Sequence, residues 1–357
     1  MHVVVTGGAG YLGSVLCLNL LEAGHTVSVL DHLAYGGASL LPLAGRRGFQ
    51  LVVGDTRDNA AVSRILDGAE AVVHLAAIVG DPACARDPDI AIAVNREASL
   101  KLMDAARDRG IKRLIFASTC SNYGRMIDTT VLAEESHELR PVSLYAETKV
   151  AVEQHLLSMD PGEMCPVVYR FATLYGLSPR MRFDLTVNQF TMEMLTRKQL
   201  TVFGEQFWRP YVHVRDAAQA ILLGLQAPAA TVRGQVFNIG STEENYRKLD
   251  IIEMVQKQLR SEAAISVVAV AEDPRDYRVS FAKVQRVLGF NPLYSVRDGI
   301  EEIMFALEYG IVNPAAEASY NVPVAAPPPS TRNTRKHAQP PSRIDNRLPV
   351  LDERLSL

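Results

Sequence analysis

Two side chains one helical turn apart offer chemistry. In Tyr145-Ala146-Glu147-Thr148-Lys149 the i, i+4 spacing sets a phenol and an ammonium on one face of a helix expected from Tyr145 to about Leu157. A neighbouring cation favours the ionised phenol, so the pair suits removal of a proton from an alcohol. Upstream, Phe116-Ala117-Ser118-Thr119-Cys120-Ser121 ends an apolar run in hydroxyls and a thiol. Cys120 has two readings: an acid/base if its thiolate forms, or a small neutral pocket residue. Arginines follow later: Arg180 and Arg182 in Ser178–Phe183, Arg209 in Arg209–Asp216, and Arg275 or Arg278. A guanidinium matches paired phosphate or carboxylate oxygens; the alternative for each is surface ion pairing. His213, within an apolar strand, reads as a packed core residue.

The elements that must position these groups begin at the first residue. Met1 to Thr6 reads as a buried strand and runs into Gly7-Gly8-Ala9-Gly10-Tyr11-Leu12-Gly13, a glycine-spaced turn that opens a helix to about Ala23. Gly7 and Gly10 allow the backbone to approach a pyrophosphate closely, and Gly13 lets the helix pack on the strand. The helix N-terminus then offers N–H groups to phosphate. A second strand, Thr26–Leu30, delivers Asp31 eighteen residues beyond Gly13, where a carboxylate bonds ribose hydroxyls and repels a 2′-phosphate. That pattern favours NAD over NADP.

Short apolar segments at Phe49–Val53, Ala71–Leu75, Arg113–Ala117 and Val167–Arg170 alternate with helical stretches, which predicts an α/β doubly wound parallel sheet. Ligands then lie beyond the carboxyl ends of the strands, at Thr6, Asp31, Asp55, Ala76-Ala77, Ser118-Thr119 and Phe171–Tyr175. The alternation weakens after residue 175. Residues 1–175 are expected to form the dinucleotide-binding domain, with a return near 210–240 through Val236–Ile239, and 176–312 a smaller mixed α/β substrate lobe. From 313 to 357 the chain is Pro-rich and polar and is expected to be a flexible tail, or a docking arm.

With 37 basic and 40 acidic residues among 357, there is no electrostatic footprint for nucleic acid or an anionic membrane. No apolar run reaches spanning length, so a cytoplasmic protein is expected. Cys17, Cys84, Cys120 and Cys165 are scattered without a C-x-x-C pair, which suggests neither a metal site nor a disulfide framework.

Taken together, Thr6–Gly13, His74-Leu75-Ala76-Ala77, Ser118-Thr119 through Tyr123-Gly124, and Tyr145–Lys149 resemble the extended short-chain dehydrogenase/reductase superfamily, specifically its NAD-dependent nucleotide-sugar epimerases and dehydratases. The likeness runs to about residue 310 and implies a Rossmann domain and a homodimer built on the helices around Asn95–Arg109 and Tyr145. It implies that Thr119 bonds the reacting sugar hydroxyl, Tyr145 is the acid/base and Lys149 holds the nicotinamide ribose. NAD contacts are implied for Gly7, Gly10, Tyr11, Leu12, Gly13, Asp31 and His32, for Asp55 and Thr56 beside adenine, and for Leu75, Ala76, Ala77 and Asn95 around the nicotinamide. For the nucleoside diphosphate sugar, the resemblance points to Asn188 and Arg209; Thr173 stands where many relatives carry asparagine, and Arg180, Arg182 and Arg275 are further cations expected on that side. Dehydratases of this kind carry Asp-Glu after the catalytic Thr, where this chain has Cys120-Ser121. The resemblance therefore favours 4-epimerisation through a transient keto-sugar. A dehydratase or decarboxylase, a keto-sugar reductase and a non-enzymatic dinucleotide sensor are the alternatives.

Overall fold

The computed structural model describes residues 1–126, 128, 130–259, 262–268 and 275–315. The expected tail lies almost wholly outside them. Twelve strands occur among the described residues: β1 His2–Thr6, β2 Thr26–Asp31, β3 Phe49–Val53, β4 Ala71–His74, β5 Arg113–Thr119, β6 Cys165–Phe171, β7 Thr173–Tyr175, β8 Gln199–Phe203, β9 Trp208–His213, β10 Gln235–Ile239, β11 Asn245–Arg247 and β12 Ala264–Val268.

Seven of them form a sheet in the order β10-β6-β5-β4-β1-β2-β3, with every neighbouring pair parallel. Their apolar runs are continuous because both faces are covered. Successive side chains point to opposite faces, so Val3 and Val5 enter one core while Val4 enters the other. Ile115, Val167 and Tyr169 divide from Leu114, Phe116 and Val168 in the same way. Helices Tyr11–Glu22 and Val214–Gln226 cover the first face; Asn59–Leu66, Ser99–Asp108 and Leu144–Ser158 cover the second.

Strand order reverses at β1, with β2 and β3 laid down on one side and β4 on the other. A ligand crevice is expected there, at the carboxyl ends of β1 and β4. Beyond the sheet, β7, β9 and β11 form a three-stranded sheet and β8 pairs with β12. These enclose a third core that includes Tyr175, Phe190, Tyr211, Ile251 and Ile300. β9 and β10 are close in sequence but serve different sheets, which joins the regions on either side of residue 175. No helix among the described residues is long and apolar enough to cross a membrane.

Candidate active site

Gly7 follows β1 with φ +74°, and a Cβ built on it would lie 2.8 Å from the nitrogen of Ala76, which follows β4. A Cβ on Gly13 would lie 2.2 Å from the Gly7 carbonyl oxygen. Neither position accepts another residue without moving backbone, so the turn keeps an open cradle of N–H groups at the helix N-terminus. Asp31 closes it from β2: its carboxylate accepts the Ala9 N–H at 3.0 Å and the Leu33 N–H at 2.8 Å. The cradle, the dipole end and the carboxylate fit a dinucleotide whose ribose is unphosphorylated. His32 is exposed beside Asp31, whose carboxylate raises the histidine's pKa. Asp55 binds Arg57 through both oxygens, at 3.0 and 2.7 Å, and Thr56 next to it is buried.

Behind the expected nicotinamide pocket runs a buried polar chain. Asn95 lies in a π-type turn, Ala93–Ala98, and its amide both accepts from the Ile78 N–H at 2.7 Å and donates to the Ile78 carbonyl at 2.8 Å. The segment after β4, carrying Leu75, Ala76 and Ala77, is thereby pinned. The Asn95 carbonyl accepts from the Ser99 hydroxyl, Ser99 meets His74 Nε2, and His74 Nδ1 meets the Thr6 hydroxyl. Thr6 in turn accepts the Ala76 N–H at 3.3 Å. Because the backbone carbonyl can only accept, Ser99 donates to it and His74 Nε2 donates to Ser99; with His74 neutral, Nδ1 accepts from Thr6 and every donor along this chain points one way. Burial, aided by Lys149, pushes the His74 pKa down to about 3.

The helix Leu144–Ser158 starts at Ser143, whose hydroxyl accepts the Ala146 N–H. It presents Tyr145, Lys149 and Glu153 at successive i+4 positions. Lys149 is 3% exposed, donates to the Ala117 carbonyl at 2.7 Å and stands 5.9 Å from the Tyr145 ring centre. One expectation is corrected here. Burial raises the Tyr145 pKa, and the foremost charge pulling it down is Arg182. Lys149 donates to a carbonyl, and desolvation exceeds the pull of any neighbouring cation.

Burial also lowers Lys149 from 10.5 to about 8. A lysine pKa depressed by folding means that the unfolded chain holds the extra proton between those values, so stability rises with pH from about 8 to 10.5. Lys149→Met should accordingly be more stable than the parent near neutrality. Denaturant titrations should show that difference shrinking by about 3 kcal/mol as pH passes through this window.

Thr119 ends β5 with its Oγ accepting the Ser121 N–H at 3.1 Å, which leaves its own proton available to a ligand. Of the two readings of Cys120, the surroundings disfavour the acid/base and favour the small neutral residue. It is 0% exposed, its thiol donates to the Arg170 carbonyl at 3.2 Å, and burial holds it well above the usual thiol range. A thiol so placed is a core group, not a base. Cys120→Ala should reduce kcat by less than about tenfold, whereas loss of an acid/base costs roughly 10²–10⁴; steady-state rates decide.

Beneath Thr119 lies an ion pair that sequence reading missed. Glu153 and Arg170, 1% and 4% exposed, pair beside Ser118. Glu153 also accepts from the Ser118 hydroxyl at 2.9 Å, and Arg170 donates to the Tyr123 hydroxyl at 2.9 Å, which donates to Asn238 of β10.

The expected substrate groups do not form one cluster. Thr173 is half-buried in β7 opposite Tyr211. Arg209, 6% exposed, lies 5.5 Å from the Tyr277 ring centre, and the Tyr277 hydroxyl meets Ser121 Oγ at 3.2 Å. Arg182 pairs with Asp184. Asn188 corrects its expected role as a ligand group. Its amide accepts from the Gly176 N–H and donates to the Arg182 carbonyl and the Tyr11 hydroxyl, so it braces the 176–182 loop against the glycine turn. The Arg180 guanidinium stacks 4.0 Å from the centre of the Tyr35 ring, in the segment after β2. Arg275 pairs with Asp81 at 2.8 Å.

Residues 3–240 match the family model described as the NAD dependent epimerase/dehydratase family. The chain belongs to this family. NAD is its cofactor, and the glycine cradle and Asp31 are the features that fit it. Among similar proteins, a UDP-glucose 4-epimerase of Corynebacterium glutamicum is 29% identical, with 82% of this chain and 91% of the relative covered. A dTDP-glucose 4,6-dehydratase of Streptomyces niveus is 30% identical over 85% of this chain and 91% of its own. The solved UDP-glucuronic acid 4-epimerase from Bacillus cereus, in complex with UDP-glucuronic acid and NAD, superposes with TM-score 0.77 at 26% identity, covering 87% of this chain and 99% of that one. The family member described here thus has epimerases and dehydratases among its relatives.

Proposed function

We propose that the protein is a nucleotide-sugar 4-epimerase working through a transient keto-sugar. The observation that carries epimerisation over dehydration is the exit of β5. A buried thiol and a serine follow Thr119 there, in place of the Asp-Glu pair carried at that point by the dehydratases this chain resembles. In this reading the Thr119 hydroxyl and the Tyr145 phenol meet the reacting sugar hydroxyl, and Tyr145 takes its proton. Lys149, fixed by the Ala117 carbonyl, orients the nicotinamide ribose. Bound NAD supplies the reversible two-electron oxidation of that carbon. The ketone turns over in the pocket, and Tyr145 returns the proton to the inverted alcohol, so protons balance without a second acid/base. Arg209 is the pyrophosphate ligand, and Thr173 lies beside the sugar. A cytoplasmic homodimer through the Ser99–Asp108 and Leu144–Ser158 helices belongs to the same proposal.

The test is a panel of UDP-, dTDP-, GDP-, CDP- and ADP-sugars, followed by chromatography and mass measurement. Unchanged mass with new stereochemistry is the expected product. Loss of water would replace the proposal with dehydration, and dependence on added NADH with reduction. NAD binding without turnover of any sugar would indicate a sensor.

A further inference from the structure

Asp81 opens the short helix Asp81–Arg86 that follows β4, and its carboxylate has partners from two distant parts of the chain. One oxygen accepts the Ser143 hydroxyl at 2.7 Å; the other pairs with Arg275 at 2.8 Å. Ser143 is the N-cap of the Leu144–Ser158 helix, so this bond fixes the orientation of the side chain that holds the helix start, two residues before Tyr145. Arg275 begins a segment whose next two residues brace other walls of the cleft. Asp276 accepts the Trp208 N–H at 2.9 Å, adjacent to Arg209, and the Tyr277 hydroxyl meets Ser121, two residues beyond Thr119. The Arg275 and Asp81 side chains are 37% and 26% exposed, open enough for a bound substrate to perturb the pair.

We propose that Asp81 is a positioning residue that couples the substrate-side segment Arg275–Tyr277 to the N-terminus of the helix bearing Tyr145, with Ser143 as the link. The proposal rests on Tyr145 being the acid/base of the reaction above. Lys149 from its own helix faces the Tyr145 ring at 5.9 Å, and the charges acting on Tyr145 are those of Arg182 from the loop after β7, Cys84 and Asp81 from the helix after β4, and Tyr277. After burial, the Asp81 charge is among those opposing ionisation of the phenol, and Arg275 offsets that charge. Removing one partner or the other should therefore act on Tyr145 with opposite signs.

Two measurements on the full-length, NAD-saturated protein test this. Amide hydrogen exchange over residues 143–149 should quicken severalfold in both Asp81→Ala and Arg275→Ala, and no further in the double variant. Parent-like exchange in Arg275→Ala would overturn the coupling. In the pH profile of kcat, the limb reporting Tyr145 should move to lower pH in Asp81→Asn and to higher pH in Arg275→Ala, while NAD affinity is unchanged. Shifts of the same sign, or none, would overturn it too. If the parent protein turned over no nucleotide sugar, the proposed function would fall by itself, and the exchange measurement would still decide the coupling.

Discussion

Tyr145→Phe is expected to cut turnover of the accepted nucleotide sugar by at least roughly 10²–10⁴-fold, the usual cost of removing an acid/base. NAD affinity should stay within a few-fold of the parent. The cofactor cradle is built from the Gly7–Gly13 turn that follows β1 and from Asp31 at the end of β2, while the tyrosine helix packs near β5. The phenol ring can remain packed, since only the hydroxyl is removed. Initial rates and NAD titration are the two measurements needed. Activity within tenfold of the parent would remove Tyr145 from the mechanism and shift attention to Arg182 and Tyr277, two groups that act on it electrostatically.

The second large effect is on stability. Glu153→Ala should cost about 3–5 kcal/mol, the range seen when one member of a buried ion pair is removed. Arg170 would keep the Tyr123 hydroxyl and the Glu135 carbonyl as acceptors but would carry an uncompensated charge at a 4% exposed position. The Ser118 hydroxyl, next to Thr119, would lose its acceptor as well. Replacing both partners, as Glu153→Met with Arg170→Met, should recover most of the loss, because the charge that needed solvation is gone. Urea unfolding of the parent, the single and the double variants gives the comparison. A single-variant loss below about 1 kcal/mol would show that water reaches Arg170 after all.

The features legible in the sequence were those dictated by backbone sterics and by periodicity. Gly7 and Gly13 tolerate no side chain, and Val3-Val4-Val5 must feed two cores at once, so the first strand, turn and helix follow from residue types alone. The i+4 rule placed Tyr145 and Lys149 together, and carried one step further it reaches Glu153. That spacing is in the sequence, but an acidic residue on a helix ordinarily faces water, so spacing alone does not mark Glu153 as buried. Electrostatics were less legible. Proximity in sequence favoured Lys149 as the group that ionises Tyr145, but desolvation depends on what the fold packs around the phenol. The roles of Asp81 and Asn188 depend on partners up to 194 residues away, Arg275 being the farthest. No local pattern encodes such pairings.

The one-way donor chain from Ala76 through Thr6, His74 and Ser99 to Asn95 makes the wall behind the nicotinamide pocket insensitive to acidity. With the histidine pKa near 3, no hydroxyl in that chain needs to rotate anywhere in the range where an enzyme works. Thr6 and Ala76 keep the same hydrogen-bond directions at pH 5 as at pH 9. An inflection seen in the pH profile of this protein between those values therefore does not belong to His74. The chain thus acts as a fixed electrical reference against which Tyr145 and Lys149 change charge.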